Sequence, residues 1–313
     1  MRTGAAAGHT GYFHEAVCYD SDQHLLDVVV PFLLGGAAAG EPTLVSFGER
    51  NAALVHAALP AGCPVTFLPG GSVYTRPAGA IRSYRELLAR HVSAGAGQIR
   101  IVGELSPSAF GPTWDWWARY ESAINHAYDE FPLWSMCAYD TRTTPAPMLA
   151  DVLRTHPRTA RPSGRHVTNP QYTPPEEFLL SDRPDVPDPI QATDPAADLV
   201  GAAPDEARRI VRAVSAGCVG AAALDDMTLA VSEIVANAYR YGRPAVRTRV
   251  WTTSGRIVVT VEDTGPGPKD PFAGLLPAAS ESSAGFGLWI AHQLCSYVRL
   301  NRGPDGFTVR LVI

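Results

Sequence analysis

Glu233 and Asn237 stand four residues apart in Ser232-Glu-Ile-Val-Ala-Asn-Ala-Tyr-Arg-Tyr-Gly242. On a helix this spacing sends both side chains from one face. An asparagine amide oxygen is a neutral hard ligand for Mg²⁺, and a neighbouring carboxylate can orient or deprotonate an attacking hydroxyl. Downstream, Asp263-Thr-Gly-Pro-Gly267 directly follows the β-rich run Arg256–Glu262. A carboxylate at a strand end can accept a hydrogen bond from an exocyclic amine such as that of adenine. Glycines beside it let backbone pass close to a flat base or a phosphate. Gly285-Phe-Gly-Leu-Trp-Ile290 then opens a helix, whose free N–H groups and positive dipole end suit phosphate. Pro268–Ala284, between the two glycine motifs, is rich in Pro, Ala, Ser and Gly. That is the composition of a mobile lid.

The elements that must carry these residues form a block of their own. Helices are expected at Asp205–Val214, Leu224–Tyr241 and Gly287–Leu294. Hairpins are expected from Val246–Thr252 with Arg256–Glu262, and from Tyr297–Asn301 with Phe307–Ile313. Helices and antiparallel hairpins in separate blocks indicate an α+β sandwich. Nearer the N-terminus, strands at Glu15–Tyr19, Thr43–Phe47, Val65–Phe67, Gln98–Val102 and Ser135–Tyr139 alternate with helices. These are Ser21–Leu34, Arg50–Leu59, Ala80–Ser93, Trp114–Glu130 and Ala146–Thr155. Such alternation implies an α/β domain with a mainly parallel sheet, covered on both faces. No GxxxxGK[ST] follows any strand, so a P-loop is absent, and Gly35-Gly36 and Gly70-Gly71 read as helix stop and turn. Pro and Asp recur without apolar periodicity between the blocks, as in Asp182-Arg-Pro-Asp-Val-Pro-Asp-Pro189. Residues 158–198 are therefore expected to be an extended, semi-rigid linker.

A chain of 313 residues, 46% hydrophobic and 18% charged, has the composition of a soluble two-domain protein. No apolar run reaches the length of a membrane span, and the N-terminus lacks a signal-peptide core. Five scattered cysteines without CxxC spacing indicate reduced thiols in a cytoplasm. His14, Cys18 and Cys137 match no standard zinc pattern, and no metal centre is expected there. The net charge of −5 gives no whole-chain footprint for nucleic acid. Lys269, the one lysine beside twenty-five arginines, suggests codon bias rather than function.

The three ordered motifs Glu233-x-x-x-Asn237-Ala238, Asp263-x-Gly265-x-Gly267 and Gly285-x-Gly287-Leu288 resemble those of the Bergerat-fold (GHKL) ATPases. That group includes gyrase, histidine kinases and MutL-type proteins. The Ser-Glu-x-x-x-Asn-Ala helix and the Gly-x-Gly-Leu-Trp-Ile helix look most like those of anti-sigma-factor serine/threonine kinases. The resemblance covers residues 199–313 and implies a two-layer fold using ATP and Mg²⁺. It implies that Asn237 binds Mg²⁺, that Glu233 is the general base and that Asp263 reads adenine. Gly265, Gly267, Gly285, Gly287 and Leu288 would shape the pocket, with Thr308 near the base. Two positions depart from the pattern. Tyr241 stands where a histidine is usual, and Phe286 stands where this subgroup often has arginine. Losing a cation beside the phosphates weakens γ-phosphate stabilisation.

His14-Glu-Ala-Val-x-Tyr19, Pro31-Phe-Leu33 with Gly40-Glu-Pro42, Gly103-Glu104, Trp117-x-x-Tyr120-Glu121 with Asn125, and Cys137-Ala-Tyr-Asp-Thr-Arg142 occur in that order. Together they resemble the MEDS domain, a sensory module of dichloromethane-responsive and methanogen regulators, over residues 9–157. The resemblance implies a RecA-like fold without a P-loop and an unidentified small-molecule signal. Glu104, Asp140 and Arg142 are expected near one sheet edge, with Trp114, Trp116, Trp117 and Trp134 as apolar walls. The combined expectation is a cytoplasmic regulator whose kinase domain acts on a sigma factor or an anti-sigma antagonist protein, with a homodimer through the 205–241 helices as an option. An ATP-gated binding module without catalysis is the alternative. A sensor histidine kinase is another, with His166 as its sole acceptor between the blocks.

Overall fold

The computed structural model describes residues 2–69, 76–277 and 286–313. The first unit ends at Leu179, and the second comprises Leu180–Ile313 together with Arg76–Ala78.

In the first unit, β1 (Phe13–Tyr19) leads through α1 (Asp22–Ala38) to β2 (Thr43–Ser46), and α2 (Glu49–Ala58) to β3 (Thr66–Phe67). Next come α3 (Pro77–Ser93), β4 (Ile99–Gly103), α4 (Trp114–Ala127), β5 (Leu133–Asp140) and α5 (Ala146–Thr155). A hairpin, β6 (Arg158–Arg161) and β7 (Arg165–Thr168), and a short helix α6 (Pro175–Leu180) complete it. The sheet order is β3-β2-β4-β5-β1-β6-β7, parallel except for β7. The central strands β1, β2, β4 and β5 are buried almost throughout. This is why they appear as continuous apolar runs and not as alternating patterns.

Two sequence expectations change here. Gly35 and Gly36 do not stop a helix; they lie inside α1, which ends at Ala38. A Cβ on Gly36 would come within 2.3 Å of Thr43 Oγ1 and 2.9 Å of Arg100 Cδ. The glycines thus serve close packing over Arg100, which is ion-paired to Glu41 at 2.6 Å and donates to the Phe32 carbonyl at 2.8 Å. Gly70 and Gly71 lie outside the described residues. Residues 158–198 are also not an extended stretch. Their first part continues the sheet as β6 and β7, with Glu15↔Arg158 in register, and Phe178 and Leu179 of α6 are buried in the first unit.

The second unit adds β8 (Ala197–Val200), α7 (Pro204–Val214), α8 (Ala221–Tyr241), β9 (Arg247–Thr253) and β10 (Arg256–Asp263). It closes with α9 (Phe286–Leu294), β11 (Tyr297–Gly303) and β12 (Gly306–Val312). Its sheet is antiparallel, in the order β11-β12-β10-β9-β8. One sheet face supplies Val250, Ile257, Val259, Val261, Val309 and Leu311 to a core shared with the three helices. The opposite face carries Arg299 and Arg310, both buried under residues 183–191. Asp185 accepts from Arg310 at 3.2 Å, and Asp188 pairs with Arg256. Among the described residues no helix is long and apolar enough to cross a membrane.

Candidate functional site

In the second unit α8 buries Met227, Val231, Ile234 and Val235 against the core. That fixes its rotation, so Glu233 and Asn237 emerge together towards the start of α9. The absence of a side chain on Gly287 permits this meeting: a Cβ there would lie 2.8 Å from Glu233 Oε2 and 3.0 Å from Asn237 Nδ2. Asp263 ends β10, and its Oδ1 accepts from Gly265 N at 2.6 Å and Arg243 N at 3.1 Å. Glycines crowd this carboxylate. A Cβ on Gly242 or Gly265 would come within 2.4 or 2.6 Å of Asp263 Oδ1, and one on Gly306 within 2.0 Å of its carbonyl oxygen. The backbone amides therefore lock the side chain in one orientation at the edge of a cavity of about 420 Å³. Asn237, Asp263, Gly267 and Leu288 line it with Ile234, Ala238, Val261 and Val309. Apolar walls with a few oriented polar groups suit a flat, partly polar ligand.

In the first unit Glu104, Asp140 and Arg142 do gather beyond the carboxyl ends of β4 and β5. Glu104 accepts from Asn51 Nδ2 at 2.6 Å and from Gly48 N at 2.7 Å, and Arg142 pairs with Asp140 at 2.7 Å. Burial pushes the Glu104 carboxyl above its ordinary range despite these donors. A second cavity, of about 430 Å³, opens beside Glu104 between Phe47, Leu68 and Leu105. The tryptophans do not wall it. Trp116 and Trp117 are core residues of α4, and Trp114 donates to Asp151 at 2.9 Å. Trp134 lies at the opposite end of β5, under Arg100. Large indoles fill the core because α4 turns that face inward, and nothing in their spacing distinguishes the two uses.

The family described as MEthanogen/methylotroph, DcmR Sensory domain (MEDS) matches residues 13–157, and the histidine kinase-like ATPase domain family matches residues 198–313. The chain is a MEDS domain followed by a histidine kinase-like ATPase domain. No curated protein matches it. Two solved structures resemble part of it. One holds the RsbU and RsbW domains of a Mycobacterium tuberculosis protein, at 18% identity over 37% of this chain and 32% of that one, with a TM-score of 0.26. The other is the histidine kinase domain of a blue-light activated histidine kinase from Erythrobacter litoralis. It is 22% identical over 35% of this chain and 59% of that one, with a TM-score of 0.24. The match covers less than two thirds of either structure.

Within the ATPase domain, Glu233, Asn237, Asp263, Gly265, Gly267, Gly287 and Leu288 come together around or beside the cavity. Gly285 lies outside the described residues, as does the lid segment beyond Pro277. The described part of that segment lines the cavity through Pro268, Lys269, Asp270, Ala273 and Leu276, and Leu275 is buried. Thr308 is misplaced by the sequence reading. On β12 it lies opposite Glu262, whereas Phe307 and Val309 line the cavity. Strand side chains alternate faces, so one residue of register moves Thr308 to the far side of the sheet. Tyr241 lines the rim and is half exposed, and Phe286 is exposed beside Trp289. Lys269, which no motif singles out, lines the cavity as its one cation among the described residues.

Gly267 offers a check on this geometry. It has φ +74°, and a Cβ would lie 2.4 Å from the Phe307 ring. Gly267→Ala should lower domain stability by about 1–3 kcal/mol and weaken nucleotide binding by pushing the ring into the cavity. Thermal unfolding with and without MgATP reads both effects.

Proposed function

We propose that the ATPase domain binds MgATP in the α8–β10–α9 cavity and phosphorylates a serine or threonine on a partner protein, in the manner of an anti-sigma-factor kinase. The MEDS domain would supply its sensory input, taking a small molecule at the cavity beside Glu104. The reading rests above all on one juxtaposition: a backbone-locked Asp263 and Asn237 line one apolar cavity, with Glu233 beside Asn237. The cavity volume and glycine-lined approaches fit an adenine nucleotide. Asp263 would accept from the exocyclic amine, and the Asn237 amide oxygen would ligate Mg²⁺. Bound MgATP supplies the transferable phosphoryl group and the charge neutralisation that phosphoryl transfer needs. Glu233 would take the proton of the attacking hydroxyl. The partner would be a sigma factor or an anti-sigma antagonist protein, in the cytoplasm.

The test is incubation of the full chain with MgATP and candidate antagonist proteins, reading phosphate on the partner. Glu233→Gln should reduce transfer by about 10²-fold or more, the usual contribution of a general base, and leave MgATP affinity within about threefold. Transfer at the wild-type rate by this variant would remove Glu233 from the chemistry.

A second reading, an ATP-gated binding module without transfer, is favoured by Tyr241 and Phe286, which place two aromatic rings where cations would assist. Under it, Glu233→Gln would leave ATP-dependent partner binding unchanged, and no phosphate would move. For a sensor histidine kinase, His166 is an unsuitable acceptor. It sits on β7 with its Nδ1 3.0 Å from the buried carboxylate of Glu15, not on a dimerising helix.

A further inference from the structure

Four side chains able to bind metal converge inside the MEDS domain, away from both cavities. They are His14 on β1, Glu121 on α4, Cys137 on β5 and His156 just after α5. His14 Nε2 lies 3.4 Å from Cys137 Sγ and 3.8 Å from Glu121 Oε2, and His156 Nε2 lies 3.6 Å from the same Oε2. All four ligand atoms fall within 4.8 Å of one another.

The surrounding hydrogen bonds decide which atoms face inward with lone pairs. Asn125 Nδ2 donates to the carbonyls of Glu121, Ser122 and Thr155, so its Oδ1 is left as an acceptor. That oxygen lies 3.0 Å from His14 Nδ1, which must therefore be the donor. His156 Nδ1 faces the Val152 carbonyl at 2.8 Å and donates to it. In a neutral imidazole with a protonated Nδ1, Nε2 carries a lone pair. Both Nε2 lone pairs thus point at a carboxylate oxygen and a sulfur. The Tyr139 hydroxyl and the Cys137 thiol face the Glu121 carboxyl, but among the described residues none reaches Glu121 Oε2 or His156 Nε2 within hydrogen-bond distance, although both residues are buried. A separation of 3.6 Å is too long for a hydrogen bond between them. Unsatisfied acceptors directed at a common point in a protein core are costly unless a cation sits among them.

We propose that His14 Nε2, Glu121 Oε2, Cys137 Sγ and His156 Nε2 form a closed tetrahedral site for one divalent transition-metal ion, of which Zn²⁺ is the best fit. Tetrahedral bonds of about 2.0–2.3 Å separate ligand atoms by roughly 3.3–3.8 Å, and the three distances above fall in that range. A thiolate in the set disfavours Mg²⁺ and Ca²⁺, while imidazole with thiolate suits zinc. One thiolate and one carboxylate also balance two positive charges, so the loaded centre is neutral, as a dry core requires. Asn125 and the Val152 carbonyl orient the imidazoles as outer-shell partners commonly do. Cys137 is the one residue of the four that is not fully buried. The ion would tie β1, α4, β5 and the end of α5 together. Sequence spacing conceals this centre because its ligands come from four elements more than a hundred residues apart at the extremes. The expectation of no metal centre is reversed here because Glu121 and His156, not Cys18, complete the set.

Elemental analysis of the full chain purified without chelator tests it, with about one zinc per chain as the expected result. Chain stripped by chelator and reloaded with Co²⁺ should show thiolate-to-cobalt charge-transfer absorption. That band should vanish in Cys137→Ser and persist in Cys18→Ser. Alkylation of the wild-type chain gives a readout independent of how a variant folds. Zn²⁺ should slow modification of Cys137 by at least about tenfold, because a metal-bound thiolate is shielded, and leave Cys18 unaffected. A folded wild-type chain that holds no metal and gives no charge-transfer band would overturn the proposal. So would a band that survives Cys137→Ser, or equal alkylation of Cys137 with and without Zn²⁺.

Discussion

Asp263→Asn should cost the ATPase domain about a hundredfold in MgATP affinity. One oxygen of Asp263 is committed to the amides of Gly265 and Arg243. An asparagine would keep its single carbonyl oxygen on those amides, since leaving two buried donors unmet is the worse alternative. Its NH₂ group would then face the cavity where an acceptor is wanted. A hydrogen bond to a charged group contributes about 1.5–3 kcal/mol, and here it is replaced by a donor opposed to a donor. Each 1.4 kcal/mol is about a factor of ten. Calorimetric titration with MgATP measures the loss, and the unliganded thermal midpoint reports whether the domain is intact. A variant that is folded and binds within threefold of the wild type would remove Asp263 from nucleotide recognition.

Phe178→Ala should destabilise the first unit by about 3–5 kcal/mol, the usual cost of deleting a buried aromatic ring. Phe178 is fully buried, with the Arg154 guanidinium 4.9 Å from its ring centre. Arg119 donates to the neighbouring Leu179 carbonyl at 2.8 Å. Val186 provides the contrast: it is 74% exposed, and Val186→Ala should change stability by less than about 0.5 kcal/mol. Denaturant unfolding of the full chain separates the two outcomes. Were residues 158–198 a free linker, neither substitution would register.

That contrast shows which physical signals reach the sequence. The central strands and the helices over them are long, buried and periodic, and their expected positions agree with the structure to within a few residues. The β6–β7 hairpin is built from Arg-Thr-Ala-Arg and Arg-His-Val-Thr, polar edge residues that carry no apolar alternation. Strand β8 is half exposed and four residues long, and α6 opens on the second of two prolines, Pro174-Pro175. Helical periodicity places Glu233 and Asn237 together. Local register does not reveal that Phe307, and not Thr308, faces the cavity. Gly35 and Gly36 show that a glycine's reason can lie across the fold, in Arg100 and Thr43. Glu121 and His156 meet His14 only through tertiary structure.

The buried arginines on the outer face of the ATPase sheet set a limit on how that domain can be excised. Arg299 donates to the carbonyls of Arg183 and Pro184, Arg310 to that of Val186 and to Gln191, and Trp251 Nε1 to that of Thr193. A fragment beginning at residue 199 would uncover two desolvated guanidinium groups and halve β8. The edge of β9 would then be open to pairing with another chain. An N-terminal boundary at or before residue 182 keeps the sheet closed. Poor solubility of shorter fragments would therefore reflect the cut and not the domain.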